Sequence, residues 1–332
     1  MTSPPRPHHG PDGRFRNPWP GGEIQGLPGL LRWGLHRMIR RRGPARAVDP
    51  ALFRSVQPNL SDPNGSPLDV TWLGHSTVLI RTPAATVLTD PVWAERVSPF
   101  SFLGPRRWVP APLALEALPR LDLVLLSHNH YDHLDQATVR RLAELQPGAP
   151  WVMPLGLSAT LRGWGVRDAI ELDWWDVHRA GVIEIGCAPA MHFSARGFRD
   201  RNQTLWCGWS IRLGERRAFF AGDTGYHPEF PRIRERFGPF DLLMLPVGAY
   251  EPRWFMRPVH MNPEEAVLAY RDLVPDPAES AGVMVPIHWG TYRLTDEPMD
   301  EPPGRTREAW RGAGLPEERL WILQHGETRQ LR

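Results

Sequence analysis

Short apolar runs separated by turn-forming residues dominate the chain from residue 69 onward. Runs of this length, bounded by Gly, Pro, Asp and Asn, are typical of consecutive β-strands. A mostly antiparallel sheet is therefore predicted to begin with DVTWLG, TVLIR and TVLTD. Further strands are predicted at residues 121–126, 182–188, 205–213, 217–221, 241–246 and 283–287.

Helical spacing of apolar residues predicts two helices among these strands. Residues 136–145 follow Asp135, whose carboxylate can accept the free N–H groups of a first helical turn. Residues 263–272 begin with Pro263, which fits a first turn because its missing N–H would have no partner there. Since strands and helices recur in both halves of the chain, the predicted class is α/β (α+β), with two sheet-and-helix halves that face each other.

Residues 27–41 combine a helical apolar stripe with arginines elsewhere around the helix. Two placements suit such a basic amphipathic helix. It makes a peripheral contact with an anionic membrane surface, or it packs its apolar face on its own domain or on the second subunit of a homodimer. The stripe consists of Leu27, Leu30, Leu31, Leu35, Met38 and Ile39.

The first 22 residues are crowded with Pro, Gly and polar residues, so any order among them must come from docking on the rest of the protein. Phe15 and Trp19 are the candidate anchors. The chain is therefore divided into an N-terminal extension, residues 1–60, which includes the basic helix, and a main domain, residues 61–332.

Charge and composition exclude several classes of protein. The net charge is +2, but residues 1–60 carry +7 and the remainder −5, so the basic excess is confined to the extension and no nucleic-acid partner is expected. No stretch approaches the roughly 20 apolar residues of a membrane-spanning helix, and the N-terminus lacks a signal-peptide core. A cytoplasmic protein is expected. The two cysteines, Cys187 and Cys207, are expected to be free thiols.

Four candidate metal ligands are crowded into six residues immediately after the predicted strand 121–126. Imidazole and carboxylate donors suit zinc, and also manganese or iron. Three later motifs, PAMHFSARG, FFAGDTGYH and VPIHWGTY, each place another His or Asp just beyond a strand-like run. Strand ends gathered on one edge would bring these groups together, which predicts a catalytic metal site. The candidate ligands are His128, His130, Asp132, His133, His192, Asp223 and His288.

These motifs carry a family resemblance. HNHYDH, with the three downstream ligands, resembles the HxHxDH signature of the dinuclear metallo-β-lactamase superfamily. The resemblance implies a four-layer αββα sandwich and two Zn²⁺ ions, with Mn²⁺ or Fe²⁺ as alternatives. It further implies that one ion is held by His128, His130 and His192, the other by Asp132, His133 and His288, and that Asp223 bridges both.

A more specific resemblance extends over nearly the whole chain, from RFRNPWP to the C-terminal HGE. The motifs WLGHSTVLI, LTDPVW, SHNHYDHLD, ELDWW, FFAGDTGY, FGPFDL, GAYEPRWFM, HMNPEEAV and IHWGTY together resemble those of the N-acyl-phosphatidylethanolamine-hydrolysing phospholipase D family. This implies that residues 61–332 form a hydrolase domain that cleaves N-acyl-phosphatidylethanolamine into N-acylethanolamine and phosphatidic acid. The resemblance also covers the basic helix, which then belongs to the family architecture.

The expected chemistry is metal-assisted hydrolysis of a phosphodiester. A hydroxide bridging two ions attacks phosphorus, and an ion stabilises charge on a phosphoryl oxygen. Asp132 and Asp223 are expected to be catalytic as well as metal ligands. His260, in HMNPEEAV, matches a family histidine near the active site and is expected to contact substrate or the transition state, with a structural role beside the helix as the alternative.

The sequence suggests supporting roles for three further residues. His75 either supports a ligand or is a hydrogen-bonded core histidine. Asp90 orients a ligand or closes a turn. Tyr131 shapes the pocket or supports the ligand loop by packing. Surface or packing roles are expected for His8, His9, His36, His178, His227 and His325.

Two departures from the family pattern keep other substrates open. Gln136 stands where the animal enzymes carry an aromatic residue, and Val259 replaces a polar residue. A metal-dependent lactonase or carboxylic-ester hydrolase would use the same ligands to attack a carbonyl carbon. A non-catalytic membrane-binding protein that relies on residues 27–41 is the alternative from another class. The intact ligand set argues against it, because a binding module needs no activated water.

Overall fold

Two β-sheets and seven α-helices make up the part of the chain that the structure describes. This computed structural model describes residues 6–23, 25–40, 50–61, 68–100, 102–197, 199–274 and 282–331. The strands are β1 (Leu68–Gly74), β2 (Thr77–Arg81), β3 (Thr86–Thr89), β4 (Leu123–Leu125), β5 (Trp151–Pro154), β6 (Ala169–Leu172), β7 (Val177–Ala180), β8 (Ile183–Ala188), β9 (Gly208–Leu213), β10 (Arg216–Phe220), β11 (Leu242–Pro246), β12 (Val283–Ile287) and β13 (Thr328–Leu331). The helices are α1 (Leu27–Arg40), α2 (Gln136–Leu145), α3 (Ser158–Gly163), α4 (Phe230–Phe237), α5 (Arg253–Met256), α6 (Pro263–Leu273) and α7 (Glu301–Gly312).

Each sheet combines antiparallel and parallel strands. The first has the order β13-β1-β2-β3-β4-β5-β6, and the second has the order β12-β11-β10-β9-β8-β7. The expectation of a mostly antiparallel first sheet holds for β1–β3 and is wrong for β4–β6, which are parallel to β3. Here α2 and α3 provide the crossover connections that adjacent parallel strands require. In the second sheet, β10, β11 and β12 are parallel in the same way.

The two sheets face each other, and helices cover their outer faces. Along β4, Leu123 and Leu125 pack into the core between the sheets, whereas Val124 packs on the opposite face with residues of α2 and α3. This alternation follows from the two-residue period of a strand, and both faces are buried. Helices α4, α6 and α7 pack on the second sheet through Ile233, Tyr270 and other buried residues. The predicted four-layer αββα sandwich is confirmed.

The predicted elements agree closely with the observed ones, and their local causes are visible. The Asp135 carboxylate accepts the backbone N–H of Thr138 at 3.1 Å, so the predicted N-cap of α2 is present. The predicted strand 205–213 begins later, at Gly208, because residues 205–207 bond across to the first half of the fold. There the backbone N–H of Cys207 donates to the carbonyl of Ser127 at 3.0 Å.

The N-terminal residues dock on the main body at the predicted anchors. Phe15 and Trp19 both pack against the largest hydrophobic cluster of the described residues, and the Trp19 ring stacks on Trp174 with centroids 5.5 Å apart. Helix α1 has the predicted start at Leu27, whereas the predicted last residue, 41, lies outside the described residues. None of the helices in the described part of the chain is long and apolar enough to cross a membrane. The division at residue 60 stays a prediction.

Gly186 of β8 allows α4 to lie close to the second sheet. A Cβ added there would be 2.5 Å from Cε1 of Phe237, whose ring is buried and also stacks on Trp175. Gly186→Ala is expected to lower the free energy of unfolding by about 1–3 kcal/mol, the usual cost of overpacking. Denaturant unfolding measures the change. Gly163→Ala, at the exposed end of α3 with nothing within 4 Å of the added Cβ, is the matched control. Equal stability of the two variants would contradict this account.

Candidate metal centre

The connection between β4 and α2 carries four of the candidate ligands, and we call residues 127–134 the ligand loop. The loop turns on itself, because the backbone N–H groups of His133 and Leu134 both donate to the carbonyl of His130. Arg196 ties the turn at both ends: its Nη1 donates to the carbonyl of Asn129 at 2.8 Å and to that of Leu134 at 2.6 Å. The loop is therefore held in one shape from outside.

The remaining ligands follow the ends of strands in the second sheet. Asp223 follows β10 and His288 follows β12, and because both strands run parallel to β11, the two side chains emerge at the same edge. His192 follows β8. Gly248, just after β11, allows close packing here, since an added Cβ would lie 2.0 Å from the carbonyl oxygen of His288. Strand ends thus bring these side chains to the ligand loop.

Three histidines form one half of the cluster. Nε2 of His128 lies 2.8 Å from Nδ1 of His130, which lies 3.2 Å from Nε2 of His192. One nitrogen from each ring can therefore contact a single ion, since all three lie within 4.8 Å of one another. This is the group that the resemblance assigns to one metal.

The other half contains two carboxylates and two histidines. Oδ2 of Asp132 lies 3.6 Å from Nε2 of His133 and 3.5 Å from Nε2 of His288. Oδ2 of Asp223 lies 3.1 Å from each of these two nitrogens and 3.8 Å from Nε2 of His192. The Asp223 carboxylate thus lies between the two halves, and the structure brings all the sequence-predicted ligands together.

The donor set fits divalent cations. Although Nε2 of His133 and Nε2 of His288 each lie 3.1 Å from Oδ2 of Asp223, neither buried nitrogen makes a hydrogen bond to a described residue. The buried Oδ1 of Asp223 makes none either. Buried polar atoms are normally paired, because an unpaired one keeps the cost of its lost hydration. Bound cations would provide the missing partners, and imidazole and carboxylate are ligands that zinc accepts.

The histidines in the two halves of the cluster have pKa values shifted in opposite directions. Burial lowers the pKa of His130 to about 3 and that of His192 to about 4, so these imidazoles are neutral and offer lone pairs. Burial also disfavours the charged form of His288, but the neighbouring carboxylates of Asp223 and Asp132 together outweigh it and raise the pKa of His288 to about 9. The pKa of His133 is raised for the same reasons. A metal would compete with protons at His133 and His288.

Asp90 holds one candidate ligand in place. Its Oδ2 accepts hydrogen bonds from Nδ1–H of His133 at 2.6 Å and from the hydroxyl of Ser127 at 2.5 Å, and its Oδ1 accepts the backbone N–H of Ser127 at 2.7 Å. The Nδ1 bond leaves Nε2 of His133 directed at Asp223. Asp90 itself has a φ of 34°, a strained value for a non-glycine residue. This geometry favours the interpretation that Asp90 orients a ligand.

His75 supports the other carboxylate. Its Nε2 lies 3.0 Å from Oδ2 of Asp132, and its carbonyl accepts the backbone N–H of His288 at 2.9 Å. Burial lowers the pKa of His75 to about 3, so the neutral ring donates one N–H to Asp132. Of the two interpretations of His75, the geometry favours ligand support.

His260 lies beside the cluster. Its Nδ1 is buried, has no hydrogen-bond partner among the described residues and lies 3.9 Å from Oδ2 of Asp223. Nη1 of Arg253 donates to its carbonyl at 2.9 Å, which fixes the backbone. The ring can reach either a molecule bound next to Asp223 or a metal ion, because its nitrogen also groups with His192 and Asp223.

The other singled-out residues have packing roles. The Tyr131 ring lies under the guanidinium of Arg196, 3.9 Å from ring centre to Cζ, so it supports the ligand loop. His227 stacks between Trp19 and Phe230. Sequence reasoning missed Arg196, although it stands in HFSARG, four residues after a candidate ligand. The side chain of His36 lies outside the described residues.

A second histidine cluster, remote in sequence from the ligand loop, is an ion-pair cluster. His8 and His9 each bond to Asp173, at 2.6 and 2.8 Å. The guanidinium of Arg6 contacts the same carboxylate, so the positive charge of this side chain already balances the charge of Asp173. These residues join the N-terminal segment to the body.

Replacement of Asp90 should weaken metal binding without unfolding the protein. In Asp90→Asn, the side-chain NH₂ group would face another donor, either the Nδ1–H of His133 or the hydroxyl of Ser127, so one of these hydrogen bonds is lost. The loss of such an orienting partner typically costs 10–100-fold in metal affinity. Titration against a chromophoric chelator measures it. Asp122→Asn is the matched control, because Asp122 binds the N–H of Thr86 at the opposite end of β4. Equal metal affinities of both variants would argue against the orienting role.

Comparison with known proteins agrees with this geometry. Residues 85–289 match the family model described as a beta-lactamase superfamily domain. A metallo hydrolase of known structure from Ignicoccus hospitalis superposes with a TM-score of 0.59, at 22% identity, over 80% of this chain and 98% of that one. At such identity the likeness shows the fold alone.

Two sequence relatives are more informative. The chain is 44% identical to N-acyl-phosphatidylethanolamine-hydrolyzing phospholipase D 1 of Caenorhabditis elegans, over 73% of this chain and 70% of that protein. It is 35% identical to the mitochondrial enzyme of the same name from Saccharomyces cerevisiae, over 79% of this chain and 56% of that protein. The chain therefore belongs to the N-acyl-phosphatidylethanolamine-hydrolysing phospholipase D-like family of the metallo-β-lactamase fold superfamily and has the fold of a metal-dependent hydrolase.

Proposed function

We propose that this protein is a dinuclear metal-dependent phosphodiesterase that cleaves N-acyl-phosphatidylethanolamine, as a phospholipase D does, into N-acylethanolamine and phosphatidic acid. The observation that carries the proposal is the buried cluster centred on Asp223, whose Oδ2 lies within 4 Å of four candidate imidazole ligands. The names of the nematode and yeast relatives give the substrate class.

Two Zn²⁺ ions are the proposed cofactors, and Mn²⁺ or Fe²⁺ would suit the same donors. One ion would be held by the three-histidine half of the cluster and the other by the half that contains Asp132, with Asp223 between them. When bound, such a pair supplies a water activated at neutral pH and positive charge next to a phosphoryl oxygen. That chemistry suits a phosphodiester, because an activated water and nearby positive charge both accelerate its hydrolysis.

The chain's own side chains hold this arrangement and complete it. Asp90 and His75 orient His133 and Asp132, so that the donor atoms face one another. His260 contacts the substrate phosphate. Burial lowers the pKa of His260 well below its usual value, so the neutral ring offers a hydrogen bond rather than a proton, and water protonates the leaving alkoxide.

Loss of the central carboxylate should abolish turnover. Asp223→Ala is expected to reduce hydrolysis of N-acyl-phosphatidylethanolamine by the zinc-loaded protein at least about 100-fold, because the loss of an outer partner of a ligand alone typically costs 10–100-fold. Asp272→Asn, at a carboxylate that binds the hydroxyl of Tyr226 at the surface, is the control. A generic phosphodiester and a lactone are assayed in parallel. If only the lactone is turned over, the proposed phosphodiesterase activity is wrong and the lactonase alternative is established.

We also propose that α1 makes a peripheral contact with an anionic membrane surface. Its docked side is fixed, since the indole N–H of Trp33 donates to Asp296 at 2.6 Å and Arg37 pairs with the same carboxylate. Leu31 and Leu35, one turn apart, point away from the body and are 66% and 54% exposed. The Trp33 ring also contacts Phe255 of α5, so α1 is docked against the helix that precedes His260.

Polar replacements on this surface should reduce membrane binding and leave the chemistry intact. Leu31→Gln with Leu35→Gln is expected to lower binding to anionic vesicles at least about tenfold, because burying a leucine contributes roughly 1.5–3 kcal/mol. Hydrolysis of a water-soluble phosphodiester should not change. Leu268→Gln, at a leucine 45% exposed on α6, is the matched control. Unchanged vesicle binding with loss of a dimer would instead identify the surface as a subunit interface.

A further inference from the structure

We propose that the N-terminal residues 6–23, here called the strap, form part of the metal centre, because Asn17 positions the candidate ligand His192. The inference rests on the proposed metal-dependent function but concerns a residue outside the ligand set. His128 and His130 come from the ligand loop, whereas His192 comes from a separate segment. Correct geometry of the three-histidine half therefore depends on what holds that segment in place.

The side-chain amide of Asn17 makes hydrogen bonds to both the backbone N–H and the carbonyl of His192. Its Oδ1 accepts the backbone N–H of His192 at 3.2 Å, and its Nδ2 donates to the carbonyl of His192 at 3.0 Å. This pair of bonds imitates a neighbouring strand at a position where His192 belongs to no strand. The side chain of Asn17 therefore fixes the main chain that carries the ligand.

The His192 ring is then set by two further contacts. Its Nδ1–H donates to the carbonyl of Val259 at 2.8 Å, so Nε2 keeps its lone pair and faces Nδ1 of His130 at 3.2 Å. The Val259 bond fixes the rotation of the ring, and the Asn17 bonds fix the position of its Cα. Both are needed to keep Nε2 at the distance that a shared ion requires.

A tight turn holds Asn17 itself. Nδ2 of Asn17 also donates to the carbonyl of Gly22 at 2.9 Å, and the N–H of Gly22 donates to the carbonyl of Trp19. A Cβ added at Gly22 would lie 2.7 Å from Cβ of Asn17. Gly22 is buried, so a larger residue there would displace Asn17.

The strap is anchored on both sides of Asn17, which allows it to resist movement. On one side, His8 and His9 bond to Asp173. On the other, the ring of Trp19 stacks on His227 with centroids 4.7 Å apart. The backbone N–H of Phe15 also donates to the carbonyl of Asn202 at 2.8 Å, ten residues after His192 in the chain. The strap thus crosses the segment and is tied to the body around it.

The test is a metal titration of the full chain with Asn17→Ala and with Gly22→Ala. For both variants we expect one of two metal equivalents to bind about 10–100-fold more weakly, the range for loss of a ligand's support, and the other to stay within about twofold. Asn59→Ala is the matched control, because the exposed Asn59 side chain lies outside the strap and accepts hydrogen bonds from Ser61, within its own turn. A competing chromophoric chelator resolves the two equivalents.

A second measurement does not depend on metal. In the metal-free chain, the backbone amide of His192 should exchange with deuterium at least about tenfold faster in Asn17→Ala than in Asn59→Ala, because only in Asn17→Ala does this amide lose its acceptor. Two equivalents bound equally well by wild type and Asn17→Ala, with equal exchange, would overturn the inference and leave the proposed function intact. Wild-type protein that binds no metal would overturn both.

Discussion

The structure depends on one buried carboxylate, that of Asp223, which lies among imidazoles where strands of the second sheet meet the ligand loop of the first. Removing a carboxylate from water is costly unless charge or hydrogen bonds compensate for it. Here the compensation comes from His133 and His288, each 3.1 Å away, whose charges keep the pKa of Asp223 well below its usual range despite burial. A pair of cations would meet the same electrostatic demand, so a fold that buries Asp223 in this way is prepared to bind metal.

Much of this could be predicted from the sequence, because the relevant signals are local. The residues of HNHYDH are adjacent in the chain, and Asp223 and His288 each follow an apolar run that ends at the same sheet edge. Helices and strands with a strong local signal could be predicted equally well. Helix α2 has the predicted bounds and N-cap, since both depend on side chains within a few residues of one another.

The remainder depends on contacts between residues far apart in sequence, and no local pattern encodes these. The parallel pairing of β4, β5 and β6 is set by the crossover helices and not by the strands themselves. Arg196 reaches back more than 60 residues to the ligand loop, and Asn17 reaches forward 175 residues to His192. Such partners look like ordinary polar loop residues until the fold brings them together.

The central claim is that this edge of the fold binds two metal ions around Asp223. Crystals of the zinc-loaded protein, with anomalous diffraction data collected at the zinc absorption edge, would test it most directly. The account predicts two peaks, one in contact with His128, His130 and His192, the other with Asp132, His133 and His288, and both in contact with Asp223. A single peak, or peaks at the remote cluster of His8, His9 and Asp173, would contradict it.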